Sequence, residues 1–125
     1  MKKLLSYLLF ITLSVVLVTG CGNNNSQYAG TYQLEYSKYV GDSDNDKNTS
    51  EVAEILLKED GTGKSNRNGY SYDVEWSIKG NSITLIEKYY GMTIEYNGTL
   101  IDNKLDLFNG DKTDSLTYET VYIKK

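Results

Sequence analysis

From residue 28 onward, apolar and polar side chains alternate with a period of two through most of the chain. In the longest run Tyr70, Tyr72, Val74, Trp76 and Ile78 share one face, and Ser71, Asp73, Glu75, Ser77 and Lys79 share the other. A helix does not sort ten residues that way, whereas a strand with one buried face does. The same alternation carries Tyr32, Leu34 and Tyr36 in a first strand. Ile55 and Leu57 follow at the end of a mostly extended segment from Ser50 to Lys58. After the turn Gly80-Asn81, Ser82 to Lys88 puts Ile83 and Leu85 inward. Gly91 breaks the run before Met92, Ile94 and Tyr96.

Turn chemistry separates the remaining strands. Glu59 to Gly63 reads as a turn, and Asn97-Gly98 is the strongest two-residue hairpin signal in the chain. Beyond it come Thr99 to Asp102, a turn at Asn103-Lys104, Leu105 to Phe108, a loop from Asn109 to Asp114, and a last strand from Ser115 to Lys124. That is eight short strands, nearly all joined by turns that only antiparallel neighbours accept. Closing such a series into an up-and-down barrel removes its exposed edges. The expected fold is therefore all-β, an antiparallel barrel over residues 28–125. An eight-stranded barrel is filled by side chains or holds one small ligand.

The first 27 residues read differently. Lys2 and Lys3 precede an uncharged, mostly apolar run from Leu4 to Val18. As a helix this run spans about 22 Å, short of the ~30 Å hydrocarbon core of a bilayer. The layout is that of a secretory signal peptide. Its end, Val18-Thr19-Gly20-Cys21, resembles the lipobox of bacterial lipoproteins and contains the only cysteine in the chain. The resemblance implies cleavage after residue 20, diacylation of the Cys21 sulphur, and an extracytoplasmic protein held to the cell membrane by lipid. Residues 22–27, reading GNNNSQ, then form a polar tether.

Charge and composition narrow the function. Without Lys2 and Lys3 the chain carries 11 basic and 17 acidic side chains, a formal charge of −6. Such a domain has no electrostatic reason to bind nucleic acid. With no histidine, and Cys21 taken by lipid, the Ser-His-Asp and Cys-His arrangements and histidine-ligated metals are absent. No cofactor is implied, and a non-enzymatic binding or structural module is the expectation. Asp73, Glu75, Glu87 and Glu95 are read as outward carboxylates in cross-strand salt bridges with lysines such as Lys79 and Lys88. Asp42, Asp44 and Asp46 alternate as in half of a calcium loop, yet Lys47 and Ala53 stand where that loop needs glycine and glutamate. A solvated loop is the expected reading.

Gly30-Thr31-Tyr32 resembles the Gly-x-Trp opening of lipocalins, with Tyr32 in the tryptophan position. Residues 59–63, 74–77, 78–85 and 122–125 are similar to stretches of the small lipocalin-like domains of bacterial lipoproteins. This implies a small barrel and, by analogy, a binding interior. Eleven of the twelve tyrosines lie beyond residue 27. Tyr32, Tyr36, Tyr70, Tyr72, Trp76, Tyr96 and Tyr118, with Tyr122 beside them, are the candidate ligand-facing residues. Buried phenols need hydroxyl partners, so such an interior is either internally hydrogen bonded or open to a small amphipathic ligand. The alternative is a filled barrel acting through its outer surface on another envelope component.

Overall fold

Two-residue alternation builds strands here because each strand has one face against a closed interior. A computed structural model of the protein describes residues 25–125. Its strands are β1 (Gly30–Tyr39), β2 (Ala53–Leu57), β3 (Thr62–Arg67), β4 (Tyr70–Lys79), β5 (Ser82–Tyr89), β6 (Met92–Ile101), β7 (Lys104–Asn109) and β8 (Tyr118–Lys124). Each pairs antiparallel with the next, and β8 pairs with β1, closing an up-and-down barrel. Among the described residues no helix is long and apolar enough to cross a membrane. The signal segment and Cys21 lie outside the described residues.

The number of strands agrees with the alternation, but two boundaries do not. Asn97-Gly98 is not a hairpin turn. It lies inside β6, where Gly98 is opposite Ile83 on one side and Leu107 on the other. A Cβ built on Gly98 would sit 1.7 Å from the Asp106 carbonyl oxygen. The glycine therefore serves the close approach of β6 to β7, a use of glycine common where barrel strands bend. Conversely β3 carries no apolar alternation, because its inward residues are Gly63, Ser65 and Arg67. A strand without inward hydrophobics looks like part of a turn.

The turns divide the barrel into two unlike ends. At one end Lys58 to Gly61, Gly80-Asn81 and Asp102-Asn103 close the hairpins. Asn25 to Ala29 packs there too: the Asn25 amide donates to the Glu59 carbonyl at 3.1 Å, and the Tyr28 hydroxyl reaches Gly80 O at 3.4 Å. Part of the expected tether is thus hydrogen bonded to the barrel. The core behind this end contains Tyr32, Leu57, Trp76, Ile83, Leu100 and Leu105, all buried. The opposite end is formed by the turns Asn68-Gly69 and Tyr90-Gly91 and by the long connections 40–52 and 110–117. Tyr90 has φ +45°, a left-handed conformation that costs an aromatic residue free energy.

A bulge in β1 changes the face of one predicted residue. Leu34 is opposite Tyr122, but Tyr36 is opposite Val121, so the register slips by one between them. Tyr122 points inward, hence Tyr36 and Val121 point outward and Ser37 turns in. The expectation that Tyr36 lines the interior is corrected. The Lys47 ammonium lies 4.2 Å from the centre of its ring, and the 40–52 connection is pinned to β1 by paired backbone hydrogen bonds between Ser37 and Asn48.

Candidate functional site

The residues of the open end build a chamber of about 170 Å³ above the apolar core. Leu34, Ile55, Leu85 and Leu107 contribute its apolar walls. Arg67, Glu87 and Tyr96 supply its polar centre, with Glu51, Asn109, Tyr118, Thr120 and Tyr122 around them. Glu87 corrects the sequence reading: it follows Ile83 and Leu85 at the same parity, faces inward, and its side chain is only 2% exposed. Arg67, the only arginine in the chain, comes from β3 and forms an ion pair through Nη2 with Glu87 Oε1. Tyr96 lines the chamber beside both partners, and its phenol feels the charge of each.

Several of these polar groups act on one another. Burial is the largest single influence on the Arg67 guanidinium and lowers its pKa, but the Glu87 carboxylate, Tyr96 and Tyr122 together outweigh burial and raise it. Burial, then Glu87, raises the Tyr96 phenol. Burial pushes Tyr122 up to about 12 against the opposing influence of Thr120. The Tyr118 hydroxyl donates to Ser37 Oγ at 2.7 Å, and Ser37 is itself fully buried.

The mouth of the chamber is aromatic. The Arg67 guanidinium carbon lies 5.2 Å from the Tyr72 ring centre. Tyr72 packs on Tyr89 at 5.0 Å, and Tyr89 meets Tyr90 edge to face at 4.7 Å. Across the rim Tyr39 stacks on Tyr118 at 5.1 Å. Val52, Tyr70, Met92 and Leu116 are exposed around this same end.

Of the sequence-predicted residues, Tyr96 and Tyr118 line the chamber, and Tyr122 joins them. Tyr72 and the exposed Tyr70 stand at its mouth. Tyr32 and Trp76 belong to the core at the far end. The Tyr32 hydroxyl donates to the Tyr28 carbonyl at 2.7 Å, and Trp76 Nε1–H points at the carbonyls of Lys58 and Thr62, both at 3.0 Å. Asp42, Asp44 and Asp46 do not converge. Asp42 accepts from the Tyr39 amide, Asp44 lies 3.6 Å from the Lys38 ammonium, and Asp46 accepts from the Ser43 hydroxyl. Among the described residues no group of three acidic or sulphur-bearing side chains is arranged for a metal ion. Asp73 pairs with Lys64, and Glu75 pairs with Lys88 at 2.9 Å, on the outer face as read from the sequence.

One acid pair lies outside the chamber, on the outer face of β7 and β8. Asp106 Oδ1 is buried without a hydrogen-bond partner, and burial, then the neighbouring Glu119 carboxyl, pushes Asp106 up to about 7. The folded state therefore holds this proton more tightly than the unfolded chain. Its contribution to stability is complete below about pH 4 and is lost as pH rises to about 7. Asp106→Asn is expected to leave the melting temperature near pH 4 nearly unchanged. At pH 8 it should raise stability by about 1 kcal/mol after solvent screening. Thermal denaturation at the two pH values checks this, and an equal effect at both contradicts it.

A closed eight-stranded antiparallel barrel with a filled end and a chambered end is the class of protein these features define. Comparison of the chain with models of known protein families, with curated proteins and with solved structures finds no match to any of them. What the chamber offers a molecule is apolar contact and hydrogen bonding around a compensated ion pair.

Proposed function

We propose that this protein is an extracytoplasmic lipoprotein, anchored to the membrane through lipid on Cys21, whose barrel carries a small amphipathic molecule without chemically altering it. The observation that carries the reading is the chamber at one end of an otherwise packed barrel. Its walls are apolar, its centre is polar, and its mouth is ringed by tyrosines. That combination is typical of a small-molecule site: largely apolar, with a few fixed polar groups. The similarity of residues 30–32 and 78–85 to lipocalin-like lipoprotein domains points the same way. The anchor fits the architecture as well. Asn25, four residues after Cys21, is bonded to the filled end, so a lipid on Cys21 holds that end toward the bilayer and leaves the mouth facing away.

Native mass spectrometry of the protein as purified from its own host tests the carrier reading, with spectra taken before and after denaturing extraction. The expected result is an added mass that leaves on denaturation. A bare polypeptide in both spectra overturns it. The second reading, an envelope interaction module, then gains weight, since Val52, Tyr70, Tyr90, Met92 and Leu116 form an exposed apolar crown on one rim.

A further inference from the structure

We infer that the chamber selects an uncharged molecule: a ring-sized apolar body bearing one hydrogen-bond acceptor, which the Arg67 guanidinium anchors. This rests on the carrier reading above and specifies its ligand. The size follows from the volume, since about 170 Å³ is close to the ~150 Å³ of an apolar cavity that admits one benzene ring.

The polarity follows from what the ion pair leaves available. A guanidinium has five N–H donors, and the contact of Arg67 with the Glu87 carboxylate is made through Nη2. Its side chain keeps 29% exposure and borders both the chamber and the mouth. Glu87, at 2% exposure and paired with Arg67, offers a ligand far less than Arg67 does. The part of the ion pair presented to an entering molecule is therefore a donor, and the molecule it anchors brings an acceptor.

Charge decides the rest. Glu87 already compensates Arg67, so an anion gains little from the guanidinium and must still give up its hydration. It also meets Glu51, which lines the same chamber. A cation is drawn to aromatic faces and to Glu51, but the Arg67 guanidinium over Tyr72 repels a second positive charge, and the cation must also give up its hydration. A neutral acceptor pays neither penalty. The pair itself is poorly explained by stability, because apolar residues of equal volume usually replace a buried ion pair without loss. A donor held in place for a ligand gives the only arginine of the chain a use.

The test uses the full chain in lipid nanodiscs, with empty nanodiscs as control, and three probes of one size: acetophenone, benzoate and benzylamine. Saturation-transfer NMR titrations are expected to give acetophenone a dissociation constant at least ten-fold below those of the other two. In the double variant Arg67→Leu/Glu87→Leu, which removes both charges together, acetophenone is expected to weaken at least five-fold while toluene does not. Equal or tighter binding of benzoate or benzylamine overturns the inference, as does an acetophenone affinity unchanged in the double variant. If all three probes fail while the host-purified protein carries a dissociable mass, the ligand class is wrong and the carrier reading stands. If the mass is also absent, both fall together.

Discussion

Replacing Arg67 with alanine is expected to destabilise the barrel by about 3 kcal/mol, the lower end of the range for breaking a buried ion pair. The cause is the residue left behind. Glu87 would keep its place on the inner face of β5, 2% exposed, without its ion-pair partner. The lower end applies because Arg67 is itself 29% exposed, so water can reach part of the vacated space. For a domain near 100 residues this corresponds to a fall in melting temperature of roughly 12–24 °C. Arg67→Leu/Glu87→Leu is expected to recover most of the loss, since an apolar pair leaves no buried charge. Circular dichroism melts of the two variants check both statements. A double variant no more stable than the single one would show that the charge left unpaired is not the cause.

A loss of similar size is expected from Gly98→Ala, which adds one methyl group. That carbon would sit 1.7 Å from Asp106 O and 2.8 Å from the Asp106 carbonyl carbon, both backbone atoms that no rotamer change can clear. Strands β6 and β7 must separate where Gly98 pairs with Leu107, loosening Leu105 and Leu107 in the core. Overpacking of this kind costs about 3 kcal/mol at its upper end. Gly80→Ala provides the contrast for space: a Cβ there meets nothing within 4 Å, although φ +62° imposes its own strain. Urea denaturation of both variants is the measurement, and Gly98→Ala should be the less stable. If Gly98→Ala matched wild type, the close approach assigned to β6 and β7 would be wrong.

The barrel was legible in the sequence wherever an apolar residue marked the inner face. β4 is the clearest case, with Val74 and Trp76 buried between exposed neighbours, and β5 follows with Ile83 and Leu85. Two misreadings at the site share one cause. β3 turns Gly63, Ser65 and Arg67 inward, so apolar periodicity passes over it, and the partner that makes an inward Glu87 tolerable is hidden with it. A lone carboxylate two residues after Leu85 is assigned to the surface because burial without a partner is too costly. The parity of Ile83 and Leu85, taken with the single arginine, was the signal that pointed inside. Tyr36 was out of reach for a different reason. A bulge flips every later residue of a strand to the other face, and nothing in Leu34-Glu35-Tyr36 marks it. At Gly98 the hairpin dipeptide is genuine chemistry put to another use, since glycine serves a tight approach as readily as a turn.

The anchor reading and the chamber reading come from different parts of the chain, one from residues 1–21 and one from the barrel, and they meet at Asn25 on the filled end. The most direct test of the central claim, that a ligand occupies the Arg67 end of the barrel, uses the fact that the chain has one arginine. Its side-chain Nε–Hε group gives a single NMR cross-peak, to be recorded on isotope-labelled protein from its own host before and after small molecules are removed. The account predicts that this peak moves together with the backbone amides of Tyr96, Tyr118 and Thr120, while those of Tyr36 and Val121 on the outer face stay in place. Identical spectra, or changes confined to the outer face, would contradict it.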